Sequence, residues 1–302
     1  MNGNNYFSPF VLRCGSRLVS YDRPAVMGIL NATPDSFYDG GRYTDEAAIV
    51  ERAEQMVREG ADIVDIGVVS TRPGAVLLSP DDEARRLVAA VAAVRRHLPE
   101  AVISVDTCYA LPARAAVEAG ADIVNDIGGG DFDPAMFDTV AALQTPYVLM
   151  LNPYGSPEEP TGLSRIPADV TDETMPQAVK FFSQRIALLR EKGVADIIID
   201  PGFGFSKTLQ QNYRLLANLG ELRTLFPTTP LLVALSRKSM IYKLLDTTPD
   251  DALTGTVALH TAALLQGAQL LRVHDVRVAR HTIKVTSELM SNGNCHGTNL
   301  IY

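Results

Sequence analysis

Short runs rich in Ile, Val and Leu recur along the chain at Ala25–Asn31, Asp62–Gly67, Ala101–Asp106, Asp122–Ile127, Pro146–Leu151, Asp196–Asp200, Pro230–Ser236 and Gln269–His274. Near-continuous apolarity over five to seven residues suits a strand buried on both faces, as in a parallel sheet, whereas a strand with one wet face alternates. Helix-compatible segments lie between the runs, among them Asp45–Glu59, Asp81–His97, Thr174–Lys192 and Asp251–Gln266. Gly60, Gly120, Gly193 and Gly267 follow the last turns of such segments, where glycine caps a helix and delivers the chain into the next strand. The stretches EGADIVDIG and AGADIVNDIG read as echoes of one βα unit.

Eight such strands alternating with helices build either a (β/α)8 barrel or a doubly wound open sheet. The count of eight favours the barrel. So do the polar residues at the C-terminal end of nearly every run, where barrel sites form. A dinucleotide-binding sheet needs GxGxxG after its first strand, and Gly28-Ile29-Leu30-Asn31 does not supply it. The expected fold class is α/β: a single (β/α)8 TIM barrel over residues 25–290, a short hairpin in the 1–24 extension that plugs the barrel bottom, and a flexible 291–302 tail. The connection from Asn152 to about Asp172 reads as a surface excursion, and Gly128-Gly129-Gly130 as a flexible loop.

The 302 residues are 46% hydrophobic and 21% charged, with a net charge of −8. That is globular composition, and its acidity argues against a dedicated nucleic-acid binder. Three widely spaced cysteines without a CxxC argue against a disulfide framework or structural zinc and for a reducing cytoplasm. The opening residues lack the basic and apolar regions of a signal peptide. The uncharged stretches Thr139–Pro157 and Ala252–Leu271 are broken by prolines or by His260, glutamines and glycines, so neither reads as a membrane span.

The run ends present Asn31, Thr71-Arg72, Asp106, Asn125-Asp126, Asp200, Ser236-Arg237-Lys238 and Arg272-Val273-His274. In a barrel these converge on one mouth. Asp106, Asn125 and Asp200 suit the edge of a flat hydrogen-bonding heterocycle, and Arg72, Lys238, Arg272 and His274 form a cationic set for phosphate, pyrophosphate or carboxylate. Plainer roles stand beside these. Asp106 can cap the next helix, Asn125 can satisfy buried backbone, His274 can be a hydrogen-bonded core histidine, and Arg237 reads as structural. Gly202 to Lys207 lacks the GK[ST] end of a phosphate loop.

Met27-Gly-Ile-Leu-Asn-Ala-Thr-Pro-Asp-Ser-Phe-Tyr-Asp-Gly-Gly41 closely resembles the first signature of the dihydropteroate synthase family. Ser70-Thr-Arg-Pro-Gly-Ala75, Ser104-Val-Asp-Thr107, Asn125-Asp-Ile127, Asp200-Pro-Gly-Phe-Gly-Phe205, Ser236-Arg-Lys-Ser239 and Arg272-Val-His-Asp275 resemble its later signatures, in order. The resemblance implies a transferase that condenses 6-hydroxymethyl-7,8-dihydropterin diphosphate with p-aminobenzoate to 7,8-dihydropteroate and pyrophosphate, with Mg2+ assisting. It implies a homodimer through late barrel helices, and sulfonamides competing for the arylamine slot. Asp106, Asn125, Asp200 and Lys238 would then hold the pterin, with Arg272 against its face. Asn31, Arg72, Arg272 and His274 would hold pyrophosphate, with Asn31 also on Mg2+. Thr71, Pro73, Phe205 and Ser236 would shape the p-aminobenzoate site, and Asp35 would stabilise the developing cation or help the metal.

Two segments depart from the family pattern. Val68-Val69 stands where Gly-Glu is usual, and Leu151-Asn152 replaces His-Met at the end of the fifth run. Those departures keep open a pterin-binding paralogue with little or no turnover. A folate-dependent corrinoid methyltransferase shares the barrel but has no pyrophosphate to hold, which the Ser236–Ser239 and Arg272–His274 motifs disfavour.

Overall fold

The computed structural model describes residues 7–32, 42–69, 78–167 and 173–293. An antiparallel hairpin, β1 (Phe10–Cys14) and β2 (Arg17–Tyr21), precedes β3 (Ala25–Asn31). Then follow α1 (Arg42–Glu59), β4 (Ile63–Gly67), α2 (Pro80–His97), β5 (Val102–Asp106), α3 (Ala110–Glu118), β6 (Ile123–Asp126), α4 (Met136–Leu143) and β7 (Tyr147–Met150). The second half holds α5 (Thr174–Glu191), β8 (Ile197–Asp200), α6 (Leu209–Ala217), α7 (Leu219–Leu225), β9 (Leu232–Val233), α8 (Ser239–Tyr242), α9 (Leu253–Leu265), β10 (Leu270–Val273) and α10 (Val276–Asn292). Strands β3 to β10 form an eight-stranded parallel sheet in the order β8-β7-β6-β5-β4-β3-β10-β9. A parallel bridge between Ile199 and Leu231 joins its two ends, so the sheet closes into the expected barrel.

Local chemistry sets the helix ends. Ser79 caps α2 by accepting from the Asp82 N–H, Pro80 opens the helix, Asp81, Asp82 and Glu83 lie at its positive end, and Arg95, Arg96 and His97 at its negative end. Thr208 and Gln211 form a reciprocal capping box on α6. The outer face of the sheet packs on the helices through one continuous core that includes Val64, Ile66, Leu87, Val94, Val124 and Phe182.

The barrel interior is layered. At the bottom, Ile63, Val102, Ile123, Val148, Ile198 and Leu270 pack against Phe7, Phe10, Leu12, Cys14 and Tyr21, so the hairpin does plug that end. Side chains alternate along a strand, and the next inward positions are Asp65, Ser104, Asn125, Met150, Asp200 and Arg272. A step of two residues converts an apolar floor into a polar layer. The chain thus carries its stability at one end of the barrel and its chemistry at the other.

The two echoes in the sequence make the same joint twice. Asp62 accepts the Val26 N–H at 2.8 Å, and Arg280 reaches both the Asp62 carboxylate and the Gly60 carbonyl. Asp122 accepts the Ile103 N–H at 2.9 Å, and Arg95 reaches the Asp122 carboxylate at 2.6 Å and the Gly120 carbonyl at 2.8 Å. Each aspartate ties its own strand to the preceding one and draws a helix onto the barrel bottom.

One connection differs from expectation, and the surface excursion after β7 gains an anchor. The Gly128–Gly130 loop is pinned: Asp126 accepts from Gly128 and Gly130 N–H and from the Tyr147 hydroxyl at 2.5 Å. A Cβ on Gly130, at φ +82°, would collide with the Phe137 ring, so only glycine fits there. The segment after β7 is anchored over the mouth. Buried Asn152 donates to the Ile127 and Pro160 carbonyls and accepts from the Ser206 hydroxyl, which itself accepts the Tyr154 N–H.

Removing a partner from a largely buried ion pair leaves an uncompensated charge. Asp122→Ala is therefore expected to destabilise the fold by about 3 kcal/mol, read from the urea midpoint. A loss below about 1 kcal/mol, the scale of an exposed pair, would show that the Arg95–Asp122 joint is ornamental.

Candidate active site

The residues singled out in the sequence, so far as they are described, lie at the C-terminal ends of the barrel strands or just beyond. Asn31 ends β3, Asp106 ends β5, Asn125 lies in β6, Asp200 ends β8, and Phe205 follows it. Ser236 and Lys238 follow β9, Arg272 lies in β10, and His274 follows it. Asp35, Thr71, Arg72 and Pro73 fall outside the described residues.

Arg272 is the centre of the group. Its Nε donates to Asp65 Oδ2 at 2.7 Å and its Nη2 to Asp106 Oδ2 at 2.5 Å. Asn125 Nδ2 donates to the same Asp65 oxygen at 3.1 Å. Asp65 is fully buried, with Arg272 15% and Asp106 19% exposed. Burial pushes the Asp106 carboxyl above its ordinary value, against the pull of Arg272, and Asp65 pushes the same way. The Asp106 carboxylate thus binds Arg272 across the barrel, while Tyr109 is the cap residue of α3 and contributes no side-chain bond to it.

Asp200 is buried, and its Oδ1 accepts the Gly202 N–H at 2.8 Å. Desolvation raises its pKa, while that hydrogen bond and the nearby Lys238 and Arg272 lower it. Lys238 places its ammonium 4.1 Å from the centre of the Phe205 ring. Burial and Arg272 depress its pKa to about 8, with Asp200 and Asp106 opposing. Phe205 joins Ile127 and Met150 in an apolar wall beside the polar layer.

The turn that delivers Lys238 starts early, which is why β9 is shorter than the run Pro230–Ser236 suggests. The Lys238 N–H donates to the Leu235 carbonyl, and Arg237 sits at φ +54°. A side-chain residue in that region is strained and needs outside support. Asp275 gives it through two bonds of 2.9 Å to the Arg237 guanidinium. Arg237 is thus structural.

His274 departs from its place in the cationic set. Its Nδ1 lies 3.0 Å from Ser236 Oγ, which also accepts the His274 N–H at 3.2 Å. Desolvation, then Arg272, pushes its pKa down to about 4 despite Asp275. The imidazole is therefore neutral at physiological pH, a hydrogen-bonding group and not a standing charge. Asn31 is exposed beside Gly67, and its side chain makes no hydrogen bond to another described residue.

Two contributors escaped the sequence reading. Asp65 interrupts an apolar run at an inward position, and that interruption was the available signal. Lys207 is buried and donates to the carbonyls of Leu151, Gly202 and Phe205 at 3.0–3.2 Å. Burial lowers its pKa to about 7. It ties the segments just after β7 and β8 together close to Asp200. Val68 packs into the outer core, and Asn152 makes the clamp described above, while Leu151, at the position of the usual histidine, is buried in that same core.

A closed parallel barrel with a buried carboxylate–guanidinium–amide layer, bordered by lysine and histidine, has the build of an enzyme site for a charged heterocyclic substrate. Residues 27–274 match the family model described as pterin binding enzyme, and the chain belongs to that family. It is 42% identical over 290 residues to a dihydropteroate synthase of Synechocystis, covering 95% of this chain and 97% of that one. A Xanthomonas albilineans dihydropteroate synthase solved with 4-aminobenzoic acid superposes with a TM-score of 0.84 at 37% identity, covering 95% of this chain and all of that one. The same organism's enzyme in complex with 7,8-dihydropteroate gives a TM-score of 0.80 at 35% identity, covering 94% of this chain and 100% of that one.

The unfolded chain's imidazole takes up a proton near its ordinary value of 6.5, whereas His274 resists protonation down to about 4. Acidification through that window therefore favours unfolding, and an anion bound beside the ring would oppose the shift by stabilising its charged form. The His274 ring resonance, assigned with His274→Gln, is expected to stay fixed between pH 7.5 and 5.5 and to titrate at higher pH once pyrophosphate is added. A midpoint near the ordinary histidine value without ligand would contradict this reading.

Proposed function

We propose that the chain works as a dihydropteroate synthase, joining 6-hydroxymethyl-7,8-dihydropterin diphosphate to p-aminobenzoate with release of pyrophosphate. The observation that carries this reading is the Asp106–Arg272–Asp65–Asn125 network, with Asp200 and Lys238 on the same mouth. Asp106, Asn125 and Asp200 offer acceptors to the edge of the pterin, and Arg272, locked edge-on by two carboxylates, offers its flat face. Lys238 supplies an ammonium beside Phe205.

The dihydropterin C–O bond breaks with its electron pair leaving on pyrophosphate, and the arylamine nitrogen then attacks the pterin-stabilised cation and loses a proton. Nearby carboxylates favour that cation, and the buried setting strengthens their effect. Asn31, Arg72, Arg272 and His274 receive the leaving group. Arg272 does so with much of its charge already spoken for, which leaves more of the task to Arg72 and the His274 ring. Thr71, Pro73, Phe205 and Ser236 shape the p-aminobenzoate site, with the Ser236 hydroxyl holding His274 in place. Asp35 assists the cation or the metal.

The donor chemistry fits Mg2+. Asn31 offers a hard amide oxygen at an exposed strand end, and no cluster of three or more His, Cys, Asp or Glu among the described residues forms a protein cage. Mg2+ is commonly held by one or two protein oxygens, substrate phosphates and water. When bound through Asn31 it supplies charge for the departing anion.

A second copy of the chain is the partner that the late helices suit. Leu253–Leu265 of α9 contains no Asp, Glu, Lys or Arg, and α10 exposes Val285 at 70% and Leu289 at 60%. No described helix is long and apolar enough to cross a membrane.

Protein supplied with the dihydropterin diphosphate, p-aminobenzoate and Mg2+ is expected to release pyrophosphate only when both substrates are present. No release at saturation overturns the synthase reading, and pterin binding without release selects the paralogue. Lys238→Ala is expected to lower kcat by at least about 100-fold, the scale of losing one preorganised electrostatic group. Near-normal turnover would remove Lys238 from the site.

A further inference from the structure

Asp65 stands out because its two oxygens are used unequally. Oδ2 accepts from both Arg272 Nε and Asn125 Nδ2, while Oδ1 is buried with no hydrogen-bond partner among the described residues. Ser104, its register partner on β5, also has a buried hydroxyl with no partner among the described residues. A purely structural ion pair in a barrel core is expected to satisfy both oxygens, and exceptions of this kind ask for an explanation at the site. Asp65 and Ser104 both occupy inward positions in the polar layer, one step above the apolar floor.

An ionised carboxylate only accepts hydrogen bonds. The Asn125 group that meets Asp65 must therefore be its NH2, and the amide oxygen is left for whatever enters from the mouth. The same carboxylate, together with Asp106, fixes the plane of Arg272. Resting on the synthase reading above, we propose that Asp65 is a positioning residue that sets ring specificity: it turns Asn125 so that the site accepts a heterocycle edge that donates there and rejects one that presents a carbonyl.

Asp65→Asn removes that instruction. An amide at position 65 satisfies either orientation of Asn125, so the acceptor facing the ligand is no longer enforced. The exchange Asp65→Asn with Asn125→Asp restores it, because a carboxylate at position 125 accepts toward the ligand whichever way it turns. The amide introduced at position 65 then donates inward to that carboxylate, and the count of charges is unchanged.

The test compares binding of dihydropterin with that of the matching lumazine, in which the 2-amino group is replaced by oxygen, by titration calorimetry. Wild type is expected to prefer the pterin ring. Asp65→Asn is expected to reduce that preference by at least about tenfold, since sites built around hydrogen bonds discriminate strongly against rings that leave them unpaired. The exchange variant is expected to recover most of it. Equal weakening of both rings in Asp65→Asn, with the preference intact, would make Asp65 merely structural and overturn the proposal. If the single variant does not fold, the exchange variant decides alone: a wild-type preference supports the proposal and a lost one overturns it. Wild type that binds neither ring overturns the synthase reading and this one together, an outcome separate from any difference among variants.

Discussion

Arg272, buried in the barrel and bound by carboxylates from two neighbouring strands, is the constraint on which the mouth of this molecule depends. Moving a guanidinium and two carboxylates out of water is costly, and the charges persist only because they satisfy one another at hydrogen-bond distance. Asp65 cannot leave without stranding Arg272 and Asn125 together. Asp106 cannot leave without freeing the guanidinium plane. The group is therefore held as a unit by its own side chains, and a substrate that reaches it meets groups already oriented.

That preorganisation stands on a division of labour along each strand. Positions facing the bottom are apolar and are sealed by the hairpin. Positions one inward step higher are mostly polar, and the sheet that carries both is held by its outer core and by the paired Asp62–Arg280 and Asp122–Arg95 joints. Two residues near the polar layer, Arg237 and Ser206, sit in the left-handed region, and each is tied down by a neighbour, Asp275 for the first and Asn152 for the second. Lys207 also ties this region down, with three carbonyls around one ammonium.

Much of this was legible in the chain. Apolar runs with glycine caps marked the strands because burial on both faces leaves few polar choices, and the strand ends named most of the described mouth residues. Less was legible where a residue's meaning depends on what lies across the barrel. Asp65 reads as one carboxylate in an apolar run until Arg272, 207 residues later, is placed beside it. The neutrality of His274 comes from burial and from Arg272, neither visible in a motif. Gly128–Gly130 looked mobile because three glycines carry no side chains, yet Asp126 and Phe137 fix the loop from outside. The short helices α6 and α7 replace a single crossover helix between β8 and β9, and α8 precedes α9 in the next crossover; only α6 carries a side-chain cap, so the others leave no local signal to separate them from loop chemistry.

The central claim is that the polar layer is held together by its own side chains and receives the pterin without giving up the Asp65–Arg272 contact. A crystal structure with bound dihydropterin measures this directly. The account predicts the ring edge on Asp106, Asn125 and Asp200, with Arg272 Nε still bonded to Asp65 near the present 2.7 Å. A ring seated elsewhere, or an Arg272 swung off Asp65 to meet the ligand, would contradict it.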